Sequence, residues 1–343
     1  MTTLSAGEPL EVPRSAVGRR TVTLIDAKRD QRRLDVDIWY PAAQSDAPRS
    51  VYEVIPGVAF TAASAQHNPQ PLPGRYPLLM FSHGRTGMRF AYSMVCEALA
   101  ARGAVVVSAD HPGDSLVDWL TGRHADDRTN ETNRVGDAHL VLDAFLRGHS
   151  EVPTEIASVI DHDRVVLAGH SYGAYTAFAT VAGSRGVSAH DGVNAVIGFQ
   201  PYMRSMSDRL LLRVDVPSLL VVAELDQITP SHIDSDRAWA LLPGHPAWRL
   251  ELRGAGHQAA SDFALYAELA QRVPSLPPMV RDYLESTAIG STGPGTRPWR
   301  QVMTAQVSVA WAFLQVALGF EADEGLSVAA ELAADPSLTL QRR

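Results

Sequence analysis

Short apolar runs recur along the middle of the chain, and longer amphipathic segments separate them. Each run is almost continuously hydrophobic, which is typical of strands that are buried on both faces. Because these runs alternate with helical patterns, the sequence predicts a parallel sheet covered by helices on both sides. The runs span residues 76–82, 104–109, 164–169, 193–199, 217–224 and 248–253.

Two earlier segments predict a different kind of strand. Residues 21–26 and 33–40 are separated by a short polar turn, and the second segment alternates as a half-buried antiparallel strand does. Together with the central runs they predict an α/β fold with a mostly parallel sheet of about eight strands. Residues 41–76 are rich in Pro, Ala, Ser and Gln, so we expect a long irregular excursion there.

The length of 343 residues is compatible with one α/β domain. We therefore predict a single domain over 1–343, with its core in 20–320. Three segments interrupt the alternation of strands and helices, namely 41–76, 111–134 and 263–300. We expect these inserts to lie like lids near the carboxyl ends of the strands, where ligands bind in such sheets.

Composition and charge exclude several classes of function. The formal net charge of −8 is not concentrated in any block, which argues against nucleic acid as a partner. Cys96 is the only cysteine, so an intrachain disulfide and a cysteine-based metal site are excluded. The first residues lack a signal-peptide pattern, and the uncharged segment 301–320 has polar residues at helical spacing, which favours a buried helix over a membrane span. We therefore expect a cytoplasmic protein.

The candidate chemistry begins with Ser171 in the motif G-x-S-x-G, residues 169–173. The motif directly follows the apolar run 164–169 and precedes a helical pattern. At such a strand-to-helix turn the serine hydroxyl projects above the sheet, and glycines two positions away on each side avoid collisions with neighbouring elements. We therefore predict that Ser171 is a nucleophile.

A serine hydroxyl needs a base to take its proton, and the base needs an acid to orient it. In proteins with this motif the acid follows the serine and the histidine comes last. Asp226 and His257 have this order, and each directly follows a predicted strand. Glu224 is an alternative acid, although the continuation D-x-x-T-P favours Asp226. His111 is an alternative base, but it precedes the serine.

An oxyanion hole needs two backbone N–H groups. We expect one from Tyr172, the residue after the nucleophile, and the other from Arg85, in the loop after run 76–82. The Arg85 side chain would then start near the scissile carbonyl, where it could bind an anionic group of a substrate or pair internally with Asp114 or another acid of 110–127.

These segments resemble the α/β-hydrolase superfamily, and within it the serine branch that contains platelet-activating-factor acetylhydrolases and dienelactone-hydrolase-like esterases. The resemblance implies an α/β-hydrolase fold with Ser171, Asp226 and His257 as the triad and the amides of Arg85 and Tyr172 as the oxyanion hole. Dienelactone hydrolases themselves use a cysteine nucleophile, so their activity is not carried over. The carrying segments are 29–42, 76–84, 108–115, 168–174, 226–230 and 254–258.

We therefore expect a serine hydrolase that cleaves a carboxylic ester of a small molecule, with no cofactor and no metal. An amidase or an acyl-transferring enzyme of secondary metabolism would use the same fold. A catalytically silent binding protein is a third reading, which the complete set of Ser171, Asp226 and His257 disfavours. Acyl group, alcohol and oligomeric state do not follow from the sequence.

Overall fold

The computed structural model describes residues 2–11, 13–55, 57–274, 276 and 278–343. Within these ranges twelve strands join in one sheet. The strands are β1 (Thr2–Ser5), β2 (Ala16–Asp26), β3 (Arg32–Ala42), β4 (Arg49–Ile55), β5 (Val58–His67), β6 (Tyr76–Ser82), β7 (Val105–Ala109), β8 (Ile160–His170), β9 (Ala195–Phe199), β10 (Ser218–Ala223), β11 (Ala247–Leu252) and β12 (Leu338–Arg342). The helices are α1 (Ser93–Arg102), α2 (Leu116–Leu120), α3 (Asp127–Arg147), α4 (Thr154–Ala157), α5 (Tyr172–Ala182), α6 (Asp208–Leu211), α7 (Ser235–Leu241), α8 (Phe263–Ala270), α9 (Pro278–Thr292), α10 (Trp299–Ala317) and α11 (Ala322–Ala333).

Helices cover both faces of the sheet, and the central strands supply side chains to both. Successive residues of a strand point to opposite faces. Leu79 and Phe81 of β6 accordingly lie in one hydrophobic cluster with α1 and α10, whereas Leu78 and Met80 lie in another with α3 and α5. This double burial explains why the central strands read as continuous apolar runs.

The strand order reverses at β6, which positions the candidate site. The parallel centre of the sheet runs β7-β6-β8-β9-β10-β11, so the chain leaves β6 on one side for β7 and returns on the other side as β8. Ligands bind at such a switch point, outside the carboxyl ends of the strands. The segment after β6 and Ser171 after β8 are therefore neighbours.

All eight predicted strands are present, and the mostly parallel α/β prediction is confirmed. The prediction of an irregular excursion over 41–76 is wrong, because this segment contains β4 and β5, which pair with each other. β5 is rich in Ala and Ser, which have little preference for strands. Its pairing with β1, β2 and β4 makes it a strand despite this composition.

The sheet is also wider than predicted at both edges, where β1 and β12 add short strands. The uncharged segment 301–320 lies mostly in α10, as expected. Within the described ranges, no helix has the length and apolar character needed to cross a bilayer. The single-domain organisation and the cytoplasmic location stay predictions.

Candidate active site

Ser171 occupies a strained turn between β8 and α5. Its backbone has φ 54° and ψ −119°, a region that non-glycine residues rarely adopt. The amide of Ser171 donates to the carbonyl of Phe199 on β9 (2.9 Å), which fixes this turn against the neighbouring strand. The strain is therefore maintained by the sheet on which the turn is built.

The two glycines of the motif are required by close backbone packing. A methyl group on Gly169 would overlap the carbonyl group of Gly173. A methyl group on Gly173 would overlap the carbonyl oxygen of Ser82 and approach that of His83, at the end of β6. The glycines thus allow the turn to lie directly against the segment that follows β6.

Ser171, His257 and Asp226 lie in one line of hydrogen bonds. The Ser171 hydroxyl oxygen is 2.9 Å from Nε2 of His257, and Nδ1 of the same ring is 2.8 Å from Oδ2 of Asp226. An ionised carboxylate only accepts hydrogen bonds, so Nδ1 carries the proton and Nε2 is free to accept one from the serine. His257 and Asp226 are both buried, with 8% and 4% exposure.

Asp226 is held as an anion by four donors. Its Oδ1 accepts the amides of Ile228 and Thr229 (both 2.8 Å), and its Oδ2 accepts His257 and lies 2.7 Å from the Thr229 hydroxyl. Burial alone would raise the pKa of Asp226, but these hydrogen bonds and the charge of His257 outweigh it and leave the pKa lowered. Thr229 is part of the D-x-x-T pattern in the sequence, but its contact with the Asp226 carboxylate was not predicted.

The alternative acid and base lie elsewhere. Glu224 is exposed and accepts the amide of Gly254 (2.8 Å). His111 is fully buried, and its Nδ1 contacts Asp137 (3.0 Å). Burial, together with the charge of Arg134, lowers the pKa of His111 to about 4. Neither Glu224 nor His111 forms a hydrogen bond with Ser171.

The two predicted oxyanion amides belong to the turn of Ser171 and to the segment 83–88 after β6, here called the oxyanion loop. Tyr172 begins α5, so its amide is one of the N–H groups that a helix leaves without an internal partner. Within the described residues, neither this amide nor that of Arg85 donates to a protein acceptor. Both N–H groups thus lack a protein acceptor among the described residues, and their role as an oxyanion hole stays a prediction.

A buried arginine supports the oxyanion loop from behind. Arg134 of α3 is 0% exposed and donates to the carbonyls of His83 (2.8 Å) and Gly84 (3.2 Å), while Asp114 neutralises its charge (2.7 Å). The Gly84 carbonyl shares its peptide unit with the Arg85 amide, so a cation on the oxygen makes that N–H a stronger donor. Nothing in the sequence pattern identified Arg134.

The Arg85 side chain forms an internal ion pair with an acid of 110–127, one of the two alternatives that the sequence left open. Its guanidinium pairs with Asp127 (2.6 Å) and lies 4.6 Å from the centre of the Tyr172 ring. Asp114 is engaged by Arg134 instead. The Arg85 side chain is 46% exposed. Its role in binding substrate stays a prediction.

A cavity of about 340 Å³ lies between the predicted inserts, and neither the oxyanion loop nor Ser171, Asp226 or His257 lines it. Its walls come from all three predicted inserts and are apolar except for the Trp119 indole and the hydroxyls of Tyr266 and Tyr283. The Leu116 amide donates to the Gly87 carbonyl (3.0 Å), and the Tyr266 hydroxyl donates to the Phe90 carbonyl (3.3 Å). These bonds attach the cavity wall to the segment that carries Arg85.

Among the described residues, no group of three or more His, Cys, Asp or Glu side chains could hold a metal ion. Ser171, His257 and Asp226 are joined by hydrogen bonds, whereas the buried side-chain amide of Gln200, the residue after β9, has no hydrogen-bond partner among the described residues.

Comparisons with known proteins agree with this architecture. A model of the family "Platelet-activating factor acetylhydrolase, isoform II" matches residues 27–139, from before β3 into α3. Platelet-activating factor acetylhydrolase from Bos taurus is 23% identical over 224 residues, which cover 55% of this chain and 49% of the relative. The chain thus matches about half the length of this curated relative.

Among solved structures, a ferulic acid esterase from Streptomyces cinnamoneus has a TM-score of 0.66 and 23% sequence identity. The similarity covers 90% of this chain and 92% of the esterase, so the two chains share a fold. The chain therefore has an α/β-hydrolase fold, which it shares with this esterase, and over part of its length it is similar to the platelet-activating factor acetylhydrolases.

Proposed function

We propose that this protein is a serine hydrolase that cleaves a carboxylic ester through an acyl-enzyme. The observation that carries the proposal is the unbroken line Ser171–His257–Asp226, together with two backbone amides that lack a protein acceptor among the described residues. The names of the similar proteins, an acetylhydrolase and a feruloyl-type esterase, support the same reaction class.

In the proposed mechanism the Ser171 oxygen attacks the ester carbonyl carbon while Nε2 of His257 accepts the serine proton. Asp226 stabilises the imidazolium, and the amides of Arg85 and Tyr172 donate to the oxyanion. His257 then returns the proton to the leaving alcohol as the carbon–oxygen bond breaks. Water, deprotonated by the same nitrogen, attacks the acyl-enzyme and releases the acid and Ser171. This cycle requires no cofactor.

We also propose that the substrate carries an uncharged hydrocarbon part. The apolar cavity between the inserts supports this, because its walls offer hydrocarbon surface, and burial of each CH₂ group contributes about 0.8 kcal/mol. The Tyr266 hydroxyl in its wall already bonds to a backbone carbonyl, so it does not call for a polar ligand.

The reaction is tested with Ser171→Ala on p-nitrophenyl esters. We expect kcat to fall by about four to six orders of magnitude with unchanged circular dichroism, because the three side chains act as one unit. A fluorophosphonate should label the wild type once, at Ser171, and leave the variant unlabelled. Full activity of a folded Ser171→Ala protein would contradict the proposed function.

The hydrocarbon site is tested with acyl chains and alcohol chains of increasing length, varied in separate series. Leu120→Asp places a charge at the cavity wall, whereas Leu212→Asp changes a leucine of matching exposure that does not line it (57% and 56% exposed). We expect only Leu120→Asp to abolish the gain in kcat/KM with chain length, and the affected series identifies which part of the ester binds there. Equal length dependence in both variants would exclude the cavity as the binding site.

A further inference from the structure

Two side chains outside the proposed triad connect the oxyanion loop to the loop that carries His257. Tyr92 lies at the start of α1, and His170 is the last residue of β8, directly before Ser171. Both are buried, with 2% and 1% exposure. They are 78 residues apart in the chain, yet their polar atoms are 2.8 Å apart.

The direction of each hydrogen bond follows from its partners. Nε2 of His170 lies 2.7 Å from the backbone carbonyl of His257, which only accepts, so Nε2 carries the ring proton. Nδ1 is then an acceptor and receives the Tyr92 hydroxyl. The hydroxyl oxygen in turn accepts the amide of Gly84 (3.0 Å). All three bonds are satisfied at once by one tautomer of a neutral ring.

The ring of His170 is neutral at neutral pH. Burial, together with the nearby charge of His257, lowers the pKa of His170 to about 3. The tautomer that the hydrogen-bond geometry requires is therefore kept at neutral pH.

Both ends of this connection are functional positions in the proposed mechanism. Gly84 directly precedes the oxyanion amide of Arg85, and its backbone packs so closely that a methyl group there would come within 3.1 Å of both Tyr92 and His170. At the other end the bond reaches the backbone of His257 itself, and the two imidazole rings lie 4.8 Å apart.

A second set of contacts joins the same two regions. Asp262, which follows the His257 loop, accepts the amide and the hydroxyl of Ser93 (2.7 and 2.6 Å) at the first turn of α1. Its own amide donates to the Ala91 carbonyl (2.8 Å). Tyr92 therefore sits between two residues that are anchored to the histidine side, so its hydroxyl is fixed in position before it meets Gly84.

We infer that Tyr92 and His170 are positioning residues that hold the oxyanion amide of Arg85 and the imidazole of His257 at a fixed separation. The inference rests on the proposed function. A tetrahedral intermediate must reach the amide and remain beside the base at the same time, so small displacements of either loop reduce the rate strongly. The connection acts on the transition state and does not touch the rest of the substrate.

The test compares Tyr92→Phe with Tyr40→Phe. Tyr40 is a matched control, because it is also buried and its hydroxyl also donates a hydrogen bond, in this case to the backbone carbonyl of Pro69 (2.8 Å), which involves neither loop. Both variants lose one buried hydroxyl, so both should lower the melting temperature to a similar extent. Only Tyr92→Phe should change catalysis.

For Tyr92→Phe we expect kcat on p-nitrophenyl butyrate to fall about 10- to 100-fold, less than the ~10²–10³ for loss of an oxyanion donor itself, with KM within about twofold. The inhibition constant of an aryl trifluoromethyl ketone, whose adduct places an oxyanion in the hole, should rise by the same factor as kcat/KM falls. Tyr40→Phe should leave both constants unchanged. Wild-type kcat and inhibition by Tyr92→Phe, with only a lower melting temperature, would overturn the inference.

A second pair of variants keeps the test decisive if Tyr92→Phe does not fold. His170→Gln retains a donor near the position of Nε2, and His170→Asn retains an acceptor near that of Nδ1, so each preserves one half of the connection. We expect both to lose kcat and inhibitor affinity together, because the separation is fixed only when both halves are present. Full activity in either variant would contradict the inference.

Tyr92 and His170 should act as one hydrogen-bonded unit. The kcat of the double variant Tyr92→Phe/His170→Gln should then be no more than about threefold below that of the slower single variant. Multiplying losses would mean that the two side chains act independently and would overturn the inference. Failure of the proposed function is a separate result: it would be seen as absent ester hydrolysis by the wild type, whereas the inference is judged from the ratio of the Tyr92 and Tyr40 variants.

Discussion

Asp226→Asn is the substitution for which the structure predicts the largest loss with the least change of shape. The asparagine oxygen can take the place of Oδ1 and accept the amides of Ile228 and Thr229, so the local turn is kept. The NH₂ group then occupies the position of Oδ2, opposite Nδ1 of His257. Two donors cannot face each other at 2.8 Å, so the imidazole must carry its proton on Nε2 instead.

In that tautomer His257 points an N–H at the Ser171 hydroxyl and cannot accept its proton. A change of this kind costs about 10⁴ in kcat in a serine protease triad, which corresponds to about 5.5 kcal/mol of transition-state stabilisation at about 1.4 kcal/mol per factor of ten. We expect a loss of the same order here, measured as kcat on p-nitrophenyl butyrate at pH 8, with KM nearly unchanged.

Glu224→Gln is the control, because Glu224 is an acid two residues away that contacts only the Gly254 amide among its described hydrogen bonds. It should keep kcat within about twofold of the wild type. A fully active Asp226→Asn enzyme would refute the reasoning, and a loss confined to Glu224→Gln would transfer the role of the acid to that residue.

Two further predictions concern Arg85 and Asp262. Arg85→Met removes an exposed ion pair with Asp127, and such pairs contribute at most about 1 kcal/mol to stability. We therefore expect kcat/KM to change less than about fivefold on anionic and on neutral esters. A loss restricted to anionic esters would show instead that the guanidinium binds substrate. Burial, with a smaller effect from the charge of Glu97, raises the pKa of Asp262 from 3.8 to about 7. The folded protein therefore keeps this proton while the unfolded chain loses it, so stability is greatest below about pH 4 and declines up to about pH 7. A pKa difference of about three units, at about 1.4 kcal/mol each, gives up to about 4 kcal/mol in the free energy of unfolding. The difference between the free energies of unfolding in urea at pH 5 and pH 8 should therefore be smaller for Asp262→Asn than for the wild type. An identical difference in both proteins would contradict the assignment.

Local pattern alone determined the central strands and the predicted nucleophile turn. The central strands are buried on both faces, so their continuous apolar runs are visible without knowledge of their neighbours. The motif of Gly169, Ser171 and Gly173 is also local in the sequence, although the carbonyl oxygen of Ser82 that requires a glycine at 173 is seen only in the structure. The order of Ser171, Asp226 and His257 could be inferred because each follows a strand, and parallel strands end at one edge of the sheet.

The tertiary structure decided what depends on contacts between distant residues. β5, with its Ala and Ser, is a strand because β2 and β4 pair with it, and no local signal replaces those partners. Arg134 engages Asp114 and Arg85 pairs with Asp127, a choice of partners that cannot be seen along the chain.

The same limit applies to the groups that hold the site in place. Tyr92 and His170 meet across 78 residues, and the tautomer of His170 is set by a carbonyl 87 residues further on. Hydrogen-bond geometry of this kind is fixed by the packing of α1, β8 and the His257 loop against one another. The sequence therefore identified the candidate reactive side chains, and only the tertiary structure decided which buried side chains contact the segments that carry them.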